Sequence, residues 1–210
     1  MLTIITPATS RDLTVLDTVK NRLGITDTAH DATLSALISA YSGVAEDYCN
    51  RVFAQETVEE TLRLPRNPGP GLRRGRYEIV LTRYPATAIV SATDGDTTLD
   101  ATGYELDQDA GVLYRLDGDD NQLRWTGPKI VVRYTAGYAL LDSLPYGIEE
   151  GVIELVKAAY LARDRDPLLR SAGDGGLGSR TYWVGAVPGS GPLPPNVTAL
   201  FDPHRRFAVA

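Results

Sequence analysis

Residues 31–50, DATLSALISAYSGVAEDYCN, decide how this chain reads. Leu34, Leu37, Ile38, Tyr41, Val44, Ala45 and Tyr48 recur at helical spacing and mark one face, which predicts an amphipathic helix running to about Asn50. Thr28, followed by Asp31, opens it as a capping pair. Upstream, Thr14 with Asp17 makes a second such pair; Val15, Leu16, Val19 and Leu23 follow at the same period, and Gly24 supplies the stop. The connection from Ile25 to Asp27 is short, so the two helices are expected as a hairpin with their apolar stripes turned inward.

Beyond Phe53 the period changes from helical to alternating. Strand-like runs cover Thr57 to Leu64, Tyr77 to Leu81, Ile89 to Thr93, Tyr104 to Leu106, Val112 to Tyr114 and Ile130 to Tyr134. Asp94-Gly95-Asp96 and Asp117-Gly118-Asp119 are turn signals between them. Pro145 then opens a third helix, with Ile148, Val152, Leu155, Val156, Ala159 and Tyr160 as its stripe, ending near Arg163 to Asp166. The expected fold class is α+β: a helical hairpin and a third long helix forming an α-helical core, an inserted small antiparallel β-unit, and an extended C-terminal tail. The expected divisions are 1–53 for the hairpin, 54–138 for the β-unit, 139–167 for the third helix and 168–210 for a tail rich in Gly and Pro.

The chain has 210 residues, 43% of them hydrophobic and 23% charged, enough apolar material for a packed core. A formal charge of −6 argues against a protein whose main task is neutralising phosphates, while leaving room for a local basic patch. Cys49 is the single cysteine and no secretory pattern opens the sequence, so a reducing cytoplasm is the expected place of synthesis. No apolar run approaches the roughly 20 residues that span a bilayer, and no membrane partner is expected.

Reactive chemistry finds little material. With His30, His204 and Cys49 as the whole His/Cys inventory, neither a nucleophilic triad nor a transition-metal site is expected, and no cofactor or catalytic residue is assigned. His30 reads as a solvated loop residue and Cys49 as a packed thiol. Gly173, Gly175 and Gly178 satisfy the dinucleotide-binding spacing, but a helix precedes them and the strand-like Arg180 to Val184 follows, the reverse of what a pyrophosphate cradle needs. Asp117, Asp119, Asp120 and Asn121 lack the following glutamate of a calcium loop and read as a hairpin turn. Glu149 and Glu150 read as first-turn carboxylates on a helix dipole, and Asn196 as the cap of a short helix.

Two features resist a plain reading. Arg63, Arg66, Arg73, Arg74 and Arg76 are set among prolines and glycines in a loop that could meet DNA phosphates, meet an acidic neighbour, or form a solvated hairpin tip. The C-terminal segment carries an aromatic island, Tyr182 and Trp183, and then Leu200, Phe201, Asp202, His204, Arg205, Arg206 and Phe207, a mixture suited to docking on a partner.

Three stretches, taken in order, resemble the head-tail connector (adaptor, head-completion) proteins of tailed bacteriophages. The first is the opening hairpin, with Leu13 to Asp17, Lys20, Leu23-Gly24-Ile25, Asp31, Leu34 to Ala40, Tyr48 and Arg51. The second is Val131-Val132-Arg133-Tyr134-Thr135-Ala136-Gly137-Tyr138, then Leu144-Pro145 and the third helix, closing with Arg163-Asp164-Arg165. The third runs from Arg170-Ser171 through Gly178 to Tyr182, then Leu193-Pro194 and Leu200 to Arg206. His204 departs from the tyrosine expected in the terminal motif, and the long arginine loop departs from the commoner pattern.

The resemblance implies a non-enzymatic virion protein, made in the bacterial host cytoplasm and placed in the neck between head and tail. It implies a ring of about twelve copies, whose contacts are head-to-tail between unlike faces, mounted on the portal protein after DNA packaging. The ring would receive a stopper or tail-completion protein while packaged DNA passes through its lumen without sequence readout. Docking on portal or a neighbour would fall to Trp183, Leu200, Phe201, Asp202, His204, Arg205, Arg206 and Phe207, and contact with the lumen, DNA or the adjacent subunit to Arg63, Arg66, Arg73, Arg74 and Arg76. Another neck or tail-completion protein of the same particle, and more remotely a small hydrolase using scattered carboxylates, are the competing readings.

Overall fold

The computed structural model describes residues 1–64, 76–140, 143–163, 171–174, 178–181 and 193–206, the two four-residue stretches by their backbone alone. The chain is α+β and divides into two compact units, one made of Met1–Ser10 with Ala54–Ala139, the other of Arg11–Phe53 with Leu140–Ala210. Among the described residues no helix is long and apolar enough to cross a membrane.

The first unit is built from strands β1 (Leu2–Thr6), β2 (Glu56–Arg63), β3 (Glu78–Val80), β4 (Ala86–Asp94), β5 (Thr97–Leu99), β6 (Tyr104–Asp107), β7 (Val112–Leu116), β8 (Gln122–Leu123) and β9 (Lys129–Ala136). Five of them form an antiparallel sheet in the order β1-β2-β9-β4-β5; a smaller sheet runs β3-β7-β6, with β8 added to β7. The alternation in β9 turns Ile130, Val132, Tyr134 and Ala136 inward, where they share one apolar core with Val58 from β2, with Ile79 and Leu113 from the other sheet, and with Trp125 in the segment between β8 and β9. Each strand read from alternation is present. Leu2–Thr6 is an addition: it pairs with β2, so residues assigned to the N-terminal hairpin group with the β-unit.

Two carboxylates on the inward face of β2 are offset by polar partners. Glu60, 6% exposed, accepts from the Thr82 N–H (2.9 Å), the Thr82 hydroxyl and the Tyr134 hydroxyl (2.9 Å), and Tyr134 in turn accepts from the Arg83 N–H (3.1 Å). Glu56 faces the Arg83 guanidinium at 3.9 Å. At the far end of β4, buried Asp94 takes the Arg115 guanidinium and the N–H groups of Thr126 and Gly127, joining β7 and the segment leading into β9. Asp117 caps its own turn by accepting from the N–H groups of Asp119 and Asn121, and those bonds hold its carboxyl below the ordinary range.

The second unit contains α1 (Leu16–Leu23), α2 (Asp31–Cys49), α3 (Tyr146–Ala162) and α4 (Pro195–Phe201), with a single 3-10 turn at Asp202–His204 and a two-stranded hairpin of β10 (Ser171–Asp174) and β11 (Gly178–Thr181). On α2, Leu34, Ile38 and Ala45 of the expected stripe are buried. Gly24 takes the left-handed conformation (φ 69°) and ends α1.

The expected helix caps differ. Val15 and His30 are the N-caps of α1 and α2, without side-chain hydrogen bonds. Thr14 instead donates its hydroxyl to Glu149 of α3 (3.1 Å), and Asp31 pairs with Lys20 of α1 (2.7 Å), so ties between helices replace ties to the local backbone. Glu150 likewise receives a bidentate Arg22. His30 is half-buried rather than solvated, its ring edge-on to Tyr160 at 5.5 Å. Pro194, not Asn196, caps α4.

Candidate assembly surfaces

The arginine loop leaves β2 and returns at β3, and both its ends are fastened to residues 125–128. Leu64 donates its N–H to the Pro128 carbonyl (3.2 Å), while Arg76 and Trp125 exchange both backbone bonds (3.3 and 2.7 Å) over the fully buried Trp125 ring. Arg63 and Arg76 are exposed at these two anchors. Arg66, Arg73 and Arg74 lie outside the described residues. Pairing of β2 with β9 brings a residue that sequence reading passed over, Lys129, directly opposite Arg63. Next to Arg76, the Arg124 guanidinium lies over the Tyr77 ring, 4.0 Å from its centroid. Strand register across more than 60 residues assembles this basic end, and no local pattern announces it.

The C-terminal segment is arranged differently from the expectation. Phe201 was expected to offer an apolar docking group, but it is fully buried, together with Val197 and Leu193, in the helical core. Val197 and Phe201 are one turn apart on α4 and share its apolar side. They fit because α3 presents Gly147 and Gly151, also one turn apart, where a Cβ would meet Leu200 and the Phe201 ring respectively. Glycine in a helix costs about 0.5–1 kcal/mol relative to alanine, and here close helix approach offsets it.

Polar clips then hold the segment to the end of α2. The Tyr48 hydroxyl donates to Asp202 (2.7 Å), the Arg205 guanidinium lies 5.2 Å from the Tyr48 ring centroid, the Arg206 N–H donates to the Cys49 carbonyl (2.8 Å), and the Cys49 thiol faces the Phe201 carbonyl at 3.8 Å. The Asp202 bond raises the Tyr48 hydroxyl above its ordinary pKa. Burial, with a smaller contribution from the Arg51 charge, lowers His204. Burial alone is the main reason the Cys49 thiol is pushed up to about 11. Asp202 and Arg205 remain exposed, Leu200, His204 and Arg206 are half-buried, and Trp183 and Phe207 lie outside the described residues.

The family model for "head completion protein" matches residues 12–207. No curated protein matches the chain. Among solved structures, a chain from the neck of an empty gene transfer agent particle, computed with C6 symmetry, has a TM-score of 0.58 at 19% identity. A chain from the virion of a native gene transfer agent particle scores 0.59 at 18%, and one from the native neck, computed with C12 symmetry, 0.55 at 20%. In each case 100% of this chain and 97% of the other are covered, so both units of the fold are shared.

Proposed function

The chain belongs to the head completion protein family, and on that premise we propose that it is a head-tail connector that forms a ring beneath the portal protein after DNA packaging and receives the stopper or tail-completion protein. The family match over nearly the whole chain carries this reading. The C12 symmetry of a neck whose subunit shares the fold supports a ring of about twelve copies joined by unlike faces. The place of action is the virion neck, and packaged DNA passes through the lumen.

The role is structural rather than catalytic. Buried Glu60 and Asp94 spend their oxygens on internal hydrogen bonds, and Glu149 and Glu150 tie α3 to Thr14 and Arg22. Within the C-terminal segment, the exposure of Asp202 and Arg205 supports a docking role for them, while Phe201 serves the core.

Electron microscopy of the purified chain mixed with portal rings tests this. A closed ring of this chain on the portal is the expected result. A discrete two-fold dimer, or co-migration with tail parts but not with portal, overturns it in favour of a tail-completion protein.

A further inference from the structure

The outward face of the β2–β9 ladder treats its two charged positions in opposite ways. Glu59 stands opposite Arg133 and the two form an ion pair at 2.7 Å. Four residues on, past Thr61 opposite Val131, Arg63 stands opposite Lys129. Like charges directly across an antiparallel pair are destabilising, because the two side chains leave the same face with Cβ atoms only about 5 Å apart. Among the described residues neither forms an ion pair with a carboxylate, and Asp96, in the turn whose Gly95 N–H donates to the Lys129 carbonyl, forms none either. The nearby Asp94 carboxylate is already occupied by Arg115 and two backbone N–H groups.

Arg76 adds a third exposed cation at the same end of the unit. Its strand partner Trp125 precedes Lys129 by four residues, a reach of at most about 14 Å. A chain with a net charge of −6 therefore gathers three exposed cations at one end of this unit, and among the described residues none of the three forms an ion pair with a carboxylate.

We infer that the end of the β-unit bearing Arg63, Arg76 and Lys129 is a binding site for the phosphodiester backbone of double-stranded DNA. The site recognises a row of closely spaced anions: duplex DNA carries about one charge per 1.7 Å of axis, denser than the carboxylates of an ordinary acidic protein surface. Recognition is of backbone and not of bases, since the aromatic ring at this edge, Tyr77, has a face covered by Arg124. The inference deepens the connector reading by giving Arg63, Arg76 and Lys129 one ligand class, and rests on that reading for its setting.

The test uses the full chain and a mixed-sequence duplex of about one helical turn or two, with fluorescence anisotropy read across a salt series. Each phosphate contact contributes about −0.9 to the slope of log K against log salt, so Arg63→Gln with Lys129→Gln should make that slope shallower by about 1.8 and weaken binding at every salt. Arg133→Gln, which removes the paired cation on the same ladder, should leave the slope unchanged, and thermal unfolding of each variant checks that the β-unit is intact. No duplex binding by the wild-type chain at low salt overturns the inference, as does a wild-type slope in the double variant. Binding of poly-glutamate in place of the duplex overturns it in favour of an acidic protein neighbour. Portal co-migration of the same variants separates the outcomes: a double variant that still forms the ring while losing DNA leaves the connector reading standing, and loss of portal binding by the wild type sinks that reading whatever the duplex does.

Discussion

The Phe201 ring fills the space above Gly151 in which a side chain on α3 would have to sit, Cε1 being the atom nearest to the missing Cβ. A methyl group there meets a ring with no exposed surface and nowhere to move. Gly151→Ala should therefore destabilise the helical unit by about 1–3 kcal/mol, as overpacking does. Gly43 on α2 has nothing within 4 Å of its missing Cβ, so Gly43→Ala should stabilise by about 0.5–1 kcal/mol. Urea denaturation of the pair reads both; equal signs for the two would refute this account of α3.

Removing Phe201 should cost more than a surface docking group would. Phe201→Ala opens a cavity between α2, α3 and α4, a loss of about 3–5 kcal/mol. A chain ending at residue 192 should lose cooperative thermal unfolding of the helical unit. If its melting curve matches that of the full chain, α4 does not belong to the core.

Tyr134 links Glu60 to the Arg83 backbone inside the β-unit. Tyr134→Phe leaves the Arg83 N–H without its acceptor and takes one donor from a buried carboxylate, at a cost of about 1–3 kcal/mol. Burial, followed by the Glu60 charge, raises the Tyr134 hydroxyl in the folded chain. A raised acid favours its neutral form in the fold, so this stability is complete below the unfolded tyrosine value near pH 10 and falls as pH rises beyond it. Chemical denaturation between pH 8 and pH 11 should show the decline in the wild type and a shallower one in Tyr134→Phe.

Cys49 should behave as a silent thiol. Its folded value of about 11 lies above the ordinary 9.0, so its contribution to stability is present below pH 9 and is lost through about pH 11. At pH 8 its reaction with a disulfide reagent should keep pace with global unfolding, and rise with urea in step with the loss of helix signal. Fast labelling in the absence of denaturant would mean that the clip from Arg206 and Phe201 opens locally.

The sequence is most readable where an element repeats its period. The stripe from Leu34 to Tyr48 and the alternation from Thr57 to Leu64 each carry enough turns or residues to declare a buried face. Leu2–Thr6 does not, because as an edge strand it has only Leu2 half-buried and alternation has nothing to report. Pro195–Phe201 spans too few turns for a stripe, and its fit depends on Gly147 and Gly151 nearly fifty residues earlier. The basic end is half readable: the arginines stand together in sequence, but Lys129 reaches Arg63 only through strand register. Thr14 and Asp31 show a local motif yielding to tertiary partners, since Glu149 and Lys20 offer charged bonds that the helix termini could not match.

The order of elements along the chain sets a timetable for synthesis. α4 leaves the ribosome after every other helix of its unit, so α2 and α3 emerge with the Gly147–Gly151 groove empty and Tyr48 and Cys49 still without Asp202 and Arg206. A chain interrupted before α4 thus leaves uncovered the furrow that Val197 and Phe201 fill. Arrival of α4 is thereby marked on the subunit itself, in the shape of the end of α2, before any second copy is met.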